Sequence, residues 1–236
     1  MSRAKKKKNF NHKSNENVVE FNRFRKSKTA IKLLPRNLEQ ETYLEKLEDP
    51  NLQIVTAYGI AGSGKTYLAC GYAANQLLNG FIDKIVFVRP NVALGGEGIG
   101  HLPGDMLEKM KPWIAPLIDA LQEQGYGKQE LEAMLKDDII EVVPVAYIRG
   151  RSFKNACIIA DECQNLTGDG MLSLLTRIGE NSKMVIVGDT QQSDRSQKNG
   201  LTKMIDRCEQ IESMGFVELI KSERNPVIEE VIQAFA

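Results

Sequence analysis

An α/β domain with a mainly parallel, doubly wound central sheet is predicted by three features of this 236-residue chain. Short, continuous apolar runs alternate with helical stretches; one run leads into an octet suited to cradling phosphate; another ends in two adjacent carboxylates. Strands buried on both faces read as unbroken apolar runs, and alternation with helices is what parallel crossovers require.

In chain order, Pro35 marks an entry, and residues 37–48 read as a short amphipathic helix with Leu38, Tyr43, Leu44 and Leu47. Ile54-Val55-Thr56-Ala57-Tyr58 reads as a buried strand. The octet Gly59-Ile60-Ala61-Gly62-Ser63-Gly64-Lys65-Thr66 follows it and matches the pattern G-x4-G-K-[ST] at every fixed position. Thr66 to Leu78 is then proline-free, carries Leu68, Ala69, Tyr72, Ala73, Leu77 and Leu78 at helical spacing, and stops before Asn79-Gly80. Further strands are expected at Ile85–Val88, Ile139–Val143, Ala156–Ala160, Met184–Val187 and Phe216–Ile220. Helices are expected at Asp105–Gln122, Gln129–Leu135, Gly170–Ile178 and Leu201–Glu209. Asn91 to Gly104 and Gln191 to Asn199 read as loops. The first contains Gly95-Gly96-Glu97-Gly98-Ile99-Gly100, but its spacing fails the dinucleotide fingerprint and no helix begins at once.

With 42% hydrophobic residues the chain can bury one full core, so residues 37–236 form one domain behind a tail. No apolar run approaches the ~18 residues a membrane span needs, and no secretion signal opens the chain, which implies a cytosolic protein without a membrane partner. Cys70, Cys157, Cys163 and Cys208 have no metal-site spacing, and only His12 and His101 could join them, which argues against zinc. A formal net charge of zero conceals an asymmetry. Residues 1–36 carry twelve Lys or Arg against Glu16 and Glu20, leaving nineteen against twenty-nine in the rest. Such a basic, Asn-rich arm on an acidic body suits a polyanion such as RNA or DNA. A solvated tail, or a segment docked on the acidic body of its own or a neighbouring subunit, is an equal reading.

The octet makes nucleotide binding the leading expectation. Glycines let successive N–H groups curl around an anion at a helix N-terminus, Lys65 reaches the β and γ phosphates, and Thr66 offers its hydroxyl to phosphate-bound Mg²⁺. Cys157-Ile158-Ile159-Ala160-Asp161-Glu162 places two carboxylates at a strand end: Asp161 to hold Mg²⁺, Glu162 to polarise the attacking water. Met184–Val187 leads to Gly188-Asp189-Thr190-Gln191-Gln192, where Gln192 would position the γ phosphate or its attacking water. For Gln40 two readings stay open, the adenine edge or a capping box with Asn37.

Gly59–Thr66, Arg89-Pro90, Gly100-His101-Leu102-Pro103-Gly104-Asp105, Ala146-Tyr147-Ile148-Arg149-Gly150-Arg151, Asp161-Glu162-Cys163-Gln164-Asn165, Gly188–Gln192 and Lys198-Asn199-Gly200-Leu201 occur in the order seen in PhoH-like ATPases. The chain resembles that family over roughly residues 37 to 236. The resemblance implies a three-layer RecA-like domain similar to the first motor domain of superfamily 1 helicases. It further implies Mg-dependent ATP hydrolysis, engagement of single-stranded RNA or DNA, and a homo-oligomeric ring, most simply a hexamer. It gives Gln40 an adenine-reading role, Gln192 a γ-phosphate sensor role, Tyr67 a place in the nucleotide site, and Arg224 a role at the triphosphate. Arg177 and Arg149 are the other arginine-finger candidates. Cys163 stands where the family has alanine, and Ser193-Asp194-Arg195 replaces a more apolar stretch. A nucleotide-dependent switch without unwinding is the alternative function. A small-molecule phosphotransferase is a third, disfavoured because the two strand-end signatures point to water as acceptor.

Overall fold

The computed structural model describes residues 28–90, 106–190 and 199–223. Element order is α1 (Leu38–Glu48), β1 (Ile54–Gly59), α2 (Lys65–Asn79), β2 (Lys84–Arg89), α3 (Met106–Glu123), α4 (Lys128–Lys136), β3 (Ile140–Pro144), β4 (Ala156–Ala160), α5 (Gly168–Leu175), β5 (Lys183–Gly188), α6 (Gly200–Cys208) and β6 (Met214–Leu219). The six strands form one sheet in the order β3-β2-β4-β5-β1-β6, every pairing parallel. The predicted parallel α/β architecture is therefore observed, with helices over both faces.

Alternation along each strand divides the core. Val55, Ala57, Ile85, Phe87, Cys157, Ile159, Val185 and Val187 face α1 to α4, joined by Tyr43, Leu47, Leu68 and Leu77. Val86, Val88, Ile158, Ala160, Met184 and Ile186 face the opposite side, where Met171, Leu174, Leu201 and Met204 of α5 and α6 cover them. Because all strands are parallel, their carboxyl ends share one edge of the sheet, and ligand-binding loops collect there.

Helix boundaries follow local chemistry. The side chain of Asn37 caps α1 by accepting from Gln40 N, and Lys183 of β5 donates to the carbonyls of Leu47 and Asp49 at the other end, pinning α1 to the sheet. Burial depresses the pKa of Lys183 below the usual lysine range. The expected helix at Asp105–Gln122 is observed as α3, with Pro112 and Pro116 inside it and a non-helical residue, Ile114, between them. The expected Gly170–Ile178 helix starts and stops earlier. Thr167 caps it by accepting from Gly170 N, and beyond Leu175 the chain turns to pair Ile178 with Phe153 in a parallel bridge. Tertiary pairing there overrides helical spacing. Likewise β6 begins at Met214 rather than Phe216, through a register with β1 that a glycine at 215 does not signal.

The described chain begins within the stretch expected as a basic arm. Lys28 donates to Gly125 O and to Glu130 Oε2 at 2.8 Å and lies 4.9 Å over the Tyr126 ring. Ile31 exchanges hydrogen bonds with the Asn75 side chain, so residues 28–36 run along the surface of α2 and the α3–α4 junction. Residues 1–27, with nine of the twelve tail cations, lie outside the described residues, as do the expected loop Asn91–Gly104 and most of Gln191–Asn199.

Three thiols are sealed in this core. Burial pushes Cys157 up to about 12, and raises Cys70 and Cys163 well above the ordinary thiol range, whereas Cys208 is half-buried. Since thiolate is the reactive form, titration of the native protein with an aromatic disulfide reagent is expected to count one fast thiol, Cys208. The other three should appear only on unfolding; fast reaction of two or more in native protein contradicts this packing.

Candidate nucleotide site

Three strand ends and one helix start converge on a cleft of ≈ 270 Å³ lined by residues of the octet together with Asp161, Glu162, Gly188 and Asp189. The octet forms the turn between β1 and α2. Gly62 and Gly64 take left-handed conformations with φ of 78° and 86°, which glycine enters without the steric cost of a Cβ. Gly59 has φ of 123°, and a Cβ on it would run into the carbonyl of Leu219, whose oxygen accepts from Ile60 N. Gly59→Ala is therefore expected to lower stability by about 2–4 kcal/mol through combined backbone strain and overlap. Urea unfolding checks this, and an unchanged midpoint would contradict the close approach.

A lysine in a glycine-rich turn suggests exposure, but Lys65 is only 8% exposed. Its Nζ donates to Gly59 O at 2.9 Å, to Ile60 O at 2.6 Å and to Ser63 Oγ at 3.1 Å. The loop thus wraps its own lysine, because an ammonium leaving water needs its three donors engaged. Ser63 closes the turn by donating from Oγ to Ile60 O.

The two candidate metal ligands are in contact. Thr66 Oγ1, at the start of α2, donates at 3.1 Å to Oδ1 of Asp161, the residue just past the end of β4. Arg89, the last residue of β2, donates from Nη2 to Asp161 Oδ2 at 2.9 Å and lies 3.6 Å from Glu162 Oε1. Arg89 Nε has no partner among the described residues. A hydroxyl beside a nearly buried carboxylate is a hard-oxygen pair of the kind Mg²⁺ takes. Among the described residues no cluster of three or more His, Cys, Asp or Glu is present, so the remaining ligands of such an ion would come from phosphate and water. Glu162 projects into the cleft from a left-handed backbone, φ 58° and ψ 36°, with its side chain about half exposed.

Gln40 is buried against the loop. Its Oε1 accepts from Arg36 N at 2.9 Å and its Nε2 donates to Ser63 O at 3.0 Å. The side chain does not return to Asn37 N, so the capping box reduces to the Asn37 cap alone, and the amide keeps a second Nε2 hydrogen and a second Oε1 lone pair beyond these two bonds. Asn37 Nδ2 donates to Glu223 Oε1, and Glu223 N donates to Gly62 O, so the chain leaving β6 also braces the loop. Tyr67 lines the cleft, 43% exposed, and its hydroxyl donates to Glu123 Oε2 of α3. Burial, followed by the charge of Glu123, raises its pKa.

Gln192 and Arg224 lie outside the described residues. Arg177 is engaged elsewhere: its guanidinium donates to Ser173 O, Arg151 O and Thr176 Oγ1 around the end of α5. Arg149 is exposed beyond β3. For two residues central to the site the sequence signals no role in it. Arg89 was half of an Arg-Pro pair, and Gln164, which bonds Glu162, sat inside a motif read for its acids; no spacing signal distinguishes either.

Residues 32–236 match the family model described as PhoH-like protein. A PhoH-like protein of Bacillus subtilis is 39% identical over 204 residues, covering 85% of this chain and 63% of the relative. Protein PhoH of Escherichia coli is 36% identical over 218 residues, covering 90% of this chain and 60% of the relative. This chain therefore spans about three fifths of the length of these relatives. Among solved structures, the UvsW helicase from bacteriophage T4 aligns over 86% of this chain and 67% of its own at 14% identity, with a TM-score of 0.43, too distant to bear on function.

Proposed function

This chain belongs to the PhoH-like family, and on that premise we propose that its P-loop domain binds ATP with Mg²⁺ and hydrolyses it in engagement with single-stranded RNA or DNA. The observation that carries this reading is the Thr66–Asp161 contact, which joins the loop after β1 to the acid at the end of β4 while Lys65 and Glu162 flank the same cleft. The strand order puts β4 and β1 on either side of β5, so the octet, the two acids and the end of β5 line one cleft of ≈ 270 Å³.

In this mechanism the octet N–H groups and the α2 N-terminus hold the β phosphate, and Lys65 exchanges its bonds to Gly59 and Ile60 carbonyls for phosphate oxygens. Thr66 and Asp161 would hold Mg²⁺, which would supply charge neutralisation at the phosphates. Glu162 takes a hydrogen bond from the attacking water and accepts its proton. Gln192 is assigned to orient that water, and Arg224, one residue beyond the Glu223 brace, to the triphosphate. A ring of six would let a neighbouring subunit shield each site, with head-to-tail contacts closing the symmetry. Arg177 is a poorer finger than the motif order suggests, since backbone carbonyls already take its donors.

The direct test is phosphate release with Mg²⁺, with EDTA, and with single-stranded RNA or DNA added. Turnover that needs Mg²⁺ and rises with nucleic acid supports the reading; no turnover in any condition overturns it. One observation favours the second reading, a slow nucleotide-dependent switch: Arg89 and Thr66 both bond Asp161, contacts that Mg²⁺ and nucleotide would have to rearrange. Turnover indifferent to nucleic acid would select that reading. Nucleic-acid affinity should reside partly in residues 1–36, whose cations release counterions from phosphates. Deleting residues 1–27, the part beyond the docked Lys28, is expected to flatten the plot of log Kd against log salt. An unchanged slope would move the contact to the globule, at Arg89, Arg149 or Arg151.

A further inference from the structure

Glu162 hangs on a left-handed residue at the end of β4, a conformation that only its surroundings can hold in place for a side chain with a Cβ. The same turn starts the 3-10 segment Cys163–Asn165 and brings the next polar side chain, Gln164, back alongside it. Gln164 is 2% exposed and bonded at both ends of its amide. Its Nε2 donates to Glu162 Oε2 at 2.7 Å, and its Oε1 accepts from Asp189 N at 3.1 Å. The orientation of that amide is chemically determined. Asp189 N–H can only donate, so it must face the carbonyl oxygen, which leaves the NH₂ group for the carboxylate. Room for this arrangement exists because residue 188 is glycine: a Cβ there would lie 2.9 Å from Gln164 Oε1 and 3.2 Å from Gln164 N.

We propose that Gln164 is a positioning residue that fixes the Glu162 carboxylate at the cleft and couples it to the end of β5. Any movement of Asp189 N, at the head of the segment that runs to Gln192, is passed through one rigid amide to the carboxylate that polarises water. A phosphate seated against the end of β5 then sets the aim of Glu162 without touching it. The proposal rests on the hydrolytic reading above. Gln164 is buried behind Glu162 and is not among the residues that line the cleft, so its effect is confined to where Glu162 points.

The test uses the full chain and Gln164→Met, which keeps the length of the side chain and removes both hydrogen bonds. A carboxylate released from the Gln164 donor, and left with the 3.6 Å ion contact to Arg89, loses orientation, and a misplacement on the order of 1 Å costs up to ~100-fold. The expected result is a 10- to 100-fold fall in kcat. KM, and Kd for a fluorescent ATP analogue, should stay within about threefold, because the phosphate loop is untouched. The decisive arm is the double variant. In a Glu162→Gln background, single-turnover cleavage of labelled ATP should fall by no more than about twofold on adding Gln164→Met, since the group being aimed is already gone. A full independent loss in that background would assign Gln164 a structural role and overturn the proposal. Should Gln164→Met fail to fold, Gln164→Glu keeps the shape and the acceptor for Asp189 N while removing the donor to Glu162. It is expected to lose kcat at least as strongly, and native turnover in it would overturn the proposal equally. A parent without turnover overturns the hydrolytic reading and this proposal with it. An active parent whose Gln164→Met variant keeps its kcat overturns this proposal alone.

Discussion

Glu162→Gln is expected to retain ATP and stop cleaving it. The substitution keeps the size and the reach of the side chain, and an amide oxygen can still accept from Gln164 Nε2, so the left-handed turn after β4 has no new reason to move. What disappears is a proton acceptor within reach of the attacking water, and general-base removal of this kind costs ~10²–10⁴-fold in rate. The ion contact from Arg89 to Glu162 at 3.6 Å also goes, but that arginine keeps its 2.9 Å bond to Asp161. Phosphate release measured beside equilibrium binding of a fluorescent nucleotide separates the two effects. Native turnover in the variant would remove Glu162 from the chemistry.

Lys65→Ala is expected to lose both turnover and nucleotide-dependent stabilisation. The ammonium bonds the carbonyls of Gly59 and Ile60, so truncation relieves a buried cation while removing a donor from each, Ile60 O keeping that of Ser63 Oγ. These costs oppose each other, and the nucleotide-free melting temperature should shift by only a few degrees, on the order of 1 kcal/mol for a domain of this size. Hydrolysis should drop by ~10²–10³-fold or more, because a positioned donor to developing phosphate charge is gone. Ligand at 100 times its Kd adds about 2.7 kcal/mol of stability to the native protein, and that upward shift with Mg·ATP should vanish in the variant. Scanning calorimetry with and without nucleotide reads both. A variant that keeps the shift would mean the lysine does not contact phosphate.

The sheet and the octet were legible in the chain because both have strong local signatures. Continuous runs such as Cys157-Ile158-Ile159-Ala160 announce buried parallel strands, and Gly59 and Gly64, the two glycines that the loop pattern fixes, both take positive φ. Even the adjacency of Thr66 and Asp161 follows from reading the two motifs together. Legibility failed where long-range contacts decide. Nothing local to Lys65 says that carbonyls will enclose it. The Phe153–Ile178 bridge that ends α5 joins segments 25 residues apart, and Lys28 finds Glu130 across 102. Gln164 is the instructive case: its residue type is polar and ordinary, and its significance comes from Asp189 N and Gly188 arriving from another strand.

The position of β1 in the sheet carries a consequence for the order in which the molecule can be assembled. Its neighbours are β5 and β6, so the strand that launches the phosphate loop near the start of the domain pairs only with residues 184–188 and 214–219. Leu219 O holds Ile60 N, and Glu223 N holds Gly62 O, from still later in the chain. A polypeptide emerging from the ribosome therefore makes β2, β3 and β4 available to one another while β1 still has no partner. Closing loops of well over a hundred residues is slow and leaves apolar edges exposed meanwhile. The nucleotide cradle is thus among the last parts of this domain to become competent, and a nascent chain halted before β6 carries the whole octet without the scaffold that shapes it.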